Sequence, residues 1–159
     1  MAGINCYGID FKTSPENRIY TNYPELPVKS FDFVTLWGVL EHLADPVATV
    51  KELVEVLNEG GKLILTTVNA EGVIPYYYKP IEHLTYWTAP AFGHLFEQCG
   101  LRLVHSEPYF MVQRSAVYVD RLLSRTPAMY KDAFQAAIGS LPDYVEVPTN
   151  EVICVAQLI

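Results

Sequence analysis

Residues Phe31 to Asn69 read FDFVTLWGVLEHLADPVATVKELVEVLNEGGKLILTTVN, and the reading of this stretch decides the fold. FDFVTLW is a short apolar run rich in aromatic and β-branched residues, suited to a strand buried on both faces. Asp45 offers an N-cap, and Pro46 falls at the first helical position, where a missing N–H costs nothing. Val47, Val50, Leu53, Val54 and Leu57 recur at helical spacing and form one apolar face. Gly60 and Gly61 are expected to end that helix, because glycine takes the left-handed cap conformation without a Cβ clash. KLILTTV then returns as a second buried strand. Strand, helix and strand make a βαβ unit, which implies parallel pairing.

The same residues carry a family resemblance. FDFVTLWGVLEHLADP followed by EGGKLILTTVN resembles the second half of a class I S-adenosylmethionine-dependent methyltransferase of the small-molecule type. There an FD-hydrophobic strand enters an L-E-H-L turn and a D-P helix start, and a G-G-x-L-x-[ILV]-x-T-x-N strand follows. The resemblance implies a Rossmann-like α/β fold with a mostly parallel sheet and an antiparallel C-terminal strand. It also implies S-adenosyl-L-methionine as cofactor and a small-molecule acceptor.

Upstream, INCYGID reads as a strand ending in an acid. Asp10 matches the family position whose carboxylate accepts hydrogen bonds from the cofactor ribose, a task suited to an acceptor-only group. Aligning Leu26-Pro27 on the family's L-P segment puts Asn22 where an acid contacts the adenine, with a turn asparagine as the plainer reading. The family's first strand and its D-x-G-x-G-x-G loop should precede Asp10. Only nine residues do so, whereas a strand, loop and helix need about 30. An N-terminally truncated methyltransferase domain is therefore expected. The alternative is a non-catalytic Rossmann-like module or partner subunit. Without the first strand, Ile4–Ile9 is expected to pair in parallel with Phe33–Trp37, or a second copy would fill that edge as a homodimer.

Ligands of open α/β sheets bind at strand carboxyl ends. Trp37 and Leu40 are accordingly candidate cofactor contacts, with Glu41 and His42 beside them. His42, with an ordinary pKa near neutrality, is one candidate base. The segment from Asn69 to Thr88 leaves the next carboxyl end and is crowded with aromatics. EHLTYWT resembles the family's substrate-side loop. Tyr76, Tyr78, Tyr86 and Trp87 are candidate acceptor contacts, since aromatics with a polar tip suit an organic ligand. His83 is the first candidate base. No further ligand follows Glu82 and His83 at zinc spacing, so no metal site is expected there.

Thr88 is expected to cap the next helix, with Phe92, Leu95, Phe96 and Cys99 inward and Gly100 as terminator. LRLVHSE and EVICVAQLI read as the C-terminal strand pair. A helical insertion at about 110–142 separates them, with Val119, Leu122 and Leu123 apolar in its first helix. Its second helix is expected to turn Tyr130, Phe134, Ala137 and Ile138 inward.

The 159 residues suit one domain, and half of them are hydrophobic. A formal net charge of −7 argues against a nucleic-acid backbone as partner. No apolar run approaches the roughly 20 residues of a membrane span. Cys6, Cys99 and Cys154 form no metal or disulfide pattern, which suggests reduced thiols and a cytoplasmic location.

Overall fold

The computed structural model describes residues 4–71, 79–138 and 141–159. Two short strands, β1 (Gly8–Ile9) and β2 (Ile19–Tyr20), form a parallel pair of their own. The main sheet holds β3 (Phe31–Trp37), β4 (Leu57–Val68), β5 (Leu101–Arg114) and β6 (Tyr144–Leu158), in the order β3-β4-β6-β5. β3 and β4 are parallel, and β6 runs antiparallel to both of its neighbours. The α/β expectation with an antiparallel C-terminal element holds.

Helix α1 (Pro46–Val54) forms as its sequence dictates. The Asp45 carboxylate accepts from the Ala48 amide at 2.9 Å, and Pro46 opens the first turn. Val50 and Leu53 are buried, and Val47 and Val54 pack beside them. The helix ends at Val54, before the glycines. Gly60 and Gly61 lie instead within β4, where the register with β3 jumps from Phe31↔Leu57 to Phe33↔Lys62. Gly60 has φ +70°, and a Cβ on Gly61 would stand 2.8 Å from the Asn58 carbonyl oxygen. The looped-out chain needs glycine at both positions.

Helix α2 (Ala89–Gln98) packs Phe92, Leu95 and Phe96 against Val50 and Leu53 of α1, Leu63 and Leu65 of β4, and Cys154 and Ala156 of β6. Thr88 stands at its N-cap position but makes no side-chain cap hydrogen bond there. Gly100, at φ +73°, follows the helix as anticipated. One apolar core thus lies under one face of the sheet. The other face of β3 carries Phe33 at 60% and Trp37 at 54% exposure. The expectation of a strand buried on both faces is corrected: β3 alternates, because among the described residues both core helices sit on the same side.

The edge of β3 away from β4 has no ladder partner among the described residues. Ile4–Ile9 does not pair with Phe33–Trp37. Gly8 and Ile9 pair with Ile19 and Tyr20, and the Tyr7 ring meets Phe31 edge-on at 6.0 Å. The local pairing closes a short loop around the turn at Pro15–Asn17, which costs less chain entropy than reaching β3.

β5 continues to Arg114, and the inserted helices that follow are α3 (Ser115–Arg125) and α4 (Lys131–Ala137). Val119, Leu122, Leu123, Phe134 and Ile138 are half-buried, whereas Tyr130 and Ala137 are exposed. Tyr130 belongs to a separate turn, Ala128–Tyr130, and not to the helix whose face it was assigned.

Candidate active site

Parallel β3 and β4 end side by side, and the turn after β3 builds the site. Gly38, at φ +61°, reverses the chain, and its amide donates to the Thr66 carbonyl oxygen and to Thr66 Oγ1, both at 3.1 Å. A Cβ there would meet Glu41 Oε1 at an ordinary contact distance of 3.6 Å, so the positive φ is what favours glycine. A single turn at Leu40–His42 follows. It buries the Leu40 side chain completely and Glu41 to 3% exposure, while His42 remains exposed. Leu40 is therefore a core residue, and its role as a cofactor contact is withdrawn. Its carbonyl accepts from Thr85 Oγ1.

Glu41 is held through both its side chain and its backbone. Its Oε2 accepts from Thr67 Oγ1 at 2.7 Å, and its backbone oxygen accepts from the amides of Leu84 and Thr85. These bonds lay the segment 79–87 over the turn. His83 is thereby buried to 6% exposure, and its ring meets His42 edge-on at 4.9 Å. His42 Nδ1 lies 2.8 Å from the Glu82 carbonyl oxygen. A carbonyl only accepts, so Nδ1 is the donor here, and in the neutral ring Nε2 is the nitrogen that holds the lone pair. One carboxylate oxygen of Glu41 and one ring nitrogen each of His42 and His83 lie within 4.8 Å of one another. The Glu82 carboxylate turns away to Lys79, at 2.9 Å.

Glu151 of β6 stands opposite Val68, near enough to Glu41 to be affected by its charge. Desolvation and then the nearby Glu41 carboxylate push its pKa above the ordinary value, against a hydrogen bond from Thr66. A raised folded-state pKa means that the folded chain keeps a proton the unfolded chain has lost. Stability from this group therefore falls as the pH rises above about 4.5, its ordinary value, through the folded value. Glu151→Gln is expected to raise the denaturation midpoint at neutral pH and to flatten that decline; unchanged melting curves from pH 4 to 8 would contradict it.

The remaining candidates are scattered. Trp37 stands exposed at the end of β3, 6.4 Å from the Tyr109 ring. Trp87 stacks on Phe92 at 5.6 Å and donates from Nε1 to Thr85 Oγ1, so it is largely a packing residue. The Tyr86 hydroxyl accepts from the Lys79 amide, with its ring 6.0 Å from His83. Tyr76 and Tyr78 lie outside the described residues. Asp10 directly follows β1, its amide bonded to the Tyr20 oxygen and its Oδ1 accepting from the Lys12 amide. Asn22 caps the turn Tyr23–Glu25, accepting from the Glu25 amide and donating to the Glu25 carboxylate. That engagement supports the turn reading for Asn22 over adenine recognition. Sequence reading missed Thr67 and Glu151; a threonine near the carboxyl end of an otherwise apolar strand was the available signal for the first, and Glu151 had none, since its position depends on the β4–β6 register.

Residues 2–106 match the family model described as a methyltransferase domain. The chain belongs to that family. A ubiquinone biosynthesis O-methyltransferase of Xanthomonas oryzae pv. oryzae is 48% identical over 40 residues, which are 25% of this chain and 17% of that protein. A tRNA U34 carboxymethyltransferase of Alteromonas mediterranea is 44% identical over 46 residues, 29% of this chain and 14% of that one. The chain thus spans a small part of the curated relatives it matches. Among solved structures, the Bacillus halodurans protein BH2331 aligns at TM-score 0.52 and 18% identity, covering 87% of this chain and 70% of that one. The [4+2]-cyclase SpnF aligns at TM-score 0.51 and 18% identity, covering 89% and 57%. At this identity both establish the fold alone. The same fold carrying a cyclase means that activity in this methyltransferase domain must be argued from its site. No helix among the described residues is long and apolar enough to cross a membrane.

Proposed function

We propose that this methyltransferase domain acts in methyl transfer from S-adenosylmethionine to a small-molecule acceptor. The observation that carries the reading is the buried Glu41 turn at the carboxyl end of β3, held by Thr67, Leu84 and Thr85, with His42 and His83 against it. Carboxyl ends are where open α/β sheets bind ligands. The residues present fit the cofactor in part. Asp10 sits exposed at the end of β1 and would accept from the ribose hydroxyls, while Trp37 offers an exposed ring at the end of β3. The glycine-rich loop that the family uses is not in these 159 residues.

The bound cofactor would supply an electrophilic methyl group. The chain's own task is to orient the acceptor and remove its proton. Trp37, Tyr86 and His42 offer surfaces for an organic acceptor, and the Glu41–His42–His83 cluster is the group that handles the proton. His42 is better placed than His83 to touch an acceptor, because His83 is buried. The net charge of −7 favours a small acceptor over a polyanion such as RNA. Cys99 and Cys154 are buried free thiols whose pKa values burial pushes up, which suits a reducing cytoplasm.

Calorimetric titration with S-adenosylmethionine tests the cofactor part. The 159-residue chain is expected to bind more weakly than low micromolar, since the loop's backbone donors are missing. Asp10→Ala should weaken that residual binding by roughly tenfold or more, the cost of a lost hydrogen bond to a charged group. Equal binding by the variant would remove Asp10 from the site, and low-micromolar binding would show that the loop is dispensable.

A further inference from the structure

The Glu41–His42–His83 cluster has a property that proton handling alone does not explain. His83 is more than nine-tenths buried, and its Nδ1 has no hydrogen-bond partner among the described residues. Leaving a buried polar nitrogen unsatisfied costs about 1–3 kcal/mol. Nearby stand a buried carboxylate, Glu41, and an exposed imidazole, His42, with one ligand-type atom from each of the three within 4.8 Å of the others. No Lys or Arg nitrogen pairs with Glu41 among the described residues. We propose that Glu41, His42 and His83 bind one divalent transition-metal ion of the zinc type.

The donor set is right for such an ion. Two imidazole nitrogens and one carboxylate oxygen suit zinc and its first-row neighbours, not calcium or magnesium. Bonds of about 2.0–2.1 Å separate tetrahedral ligand atoms by about 3.4 Å. The three groups therefore close by roughly an ångström on binding, within reach of side-chain rotation at His42, which is exposed. The outer partners that orient metal ligands are already in place. His42 Nδ1 donates to the Glu82 carbonyl, which leaves Nε2 for the metal, and Thr67 Oγ1 donates to the Glu41 carboxylate. An ion here would clip the segment 79–87 onto the turn after β3, joining residues far apart in the chain. Three protein ligands leave a fourth position open. The binding claim is tested apart from the methyl-transfer reading, but it bears on the same atom: a metal held by His42 Nε2 would take the lone pair that the metal-free ring offers as a base.

The test is titration of Zn²⁺ into the metal-free chain, followed by calorimetry and thermal denaturation, with no cofactor or acceptor present. The chain carries Cys6→Ser, because that exposed thiol would bind zinc by itself. One equivalent bound per chain is expected, with a rise in melting temperature as the ion stabilises the folded state. Co²⁺ in place of Zn²⁺ should give visible absorption bands of a nitrogen- and oxygen-ligated low-symmetry site. Glu41→Gln and His42→Ala should each weaken binding by roughly 100-fold or more, beyond the 10–100-fold that losing an outer partner costs. His42→Ala removes an exposed side chain, so its folding is secure. His105→Ala, at the exposed His105–Glu107 pair, should bind as before. Absence of stoichiometric binding, or equal binding by His42→Ala and Glu41→Gln, would overturn the proposal. Metal binding without methyl transfer would leave it standing and count against the function proposed above.

Discussion

Phe92→Ala is expected to destabilise the chain by about 3–5 kcal/mol, the usual cost of removing a buried ring together with the cavity left behind. Phe92 has no exposed surface and stacks between Trp87 at 5.6 Å and Phe96 at 6.1 Å. It supports more than the core. Trp87 is the last residue of the segment that covers the Glu41 turn, and its backbone bonds to Val68 and Ala70 at the end of β4. Removing the ring beneath Trp87 should therefore loosen the segment carrying His83 as well as lower global stability. A domain of this size has only about 5–15 kcal/mol in total, so the variant should unfold at markedly lower urea concentration. A loss below about 1 kcal/mol would show that α2 is not packed as described.

His42→Ala is expected to lower the turnover of the methyltransferase by about 10²–10⁴, the range attributed to a positioned acid or base. Turnover and cofactor affinity are read separately. Cofactor affinity should change little, because Asp10 lies on a different strand end. His42 is a cleaner choice than His83. Its ring is exposed, so its loss leaves no cavity, whereas His83→Ala would empty a buried site and confuse stability with chemistry. Unchanged turnover in His42→Ala would remove the cluster from the reaction.

Much of this molecule was legible in one stretch of sequence. The Asp45 cap, the Pro46 start and the spacing of Val50 and Leu53 lie within a few residues of one another, and each acts through its neighbours in the chain. The same holds for the order β3, α1, β4 and for the family that residues 2–106 match. Local rules settle these features because a helix cap or a periodic apolar face is complete within three turns of chain.

What tertiary structure alone decided depends on which distant groups meet. Leu40 looked like a mouth residue by its place at a strand end, yet the turn that Gly38 opens rolls its side chain into the core. Ile9 was expected beside β3 and pairs with Tyr20, because loop closure favours the nearer strand. Glu41 and His42 are far from His83 in sequence, and no ligand spacing joins them; the bonds from Leu84 and Thr85 to the Glu41 oxygen bring them together. Glu151 comes near Glu41 only because β6 runs antiparallel to β4 and sets its middle residue opposite Val68, the last residue of β4. Strand direction and register set such meetings, and side-chain periodicity carries no record of which strand will lie alongside.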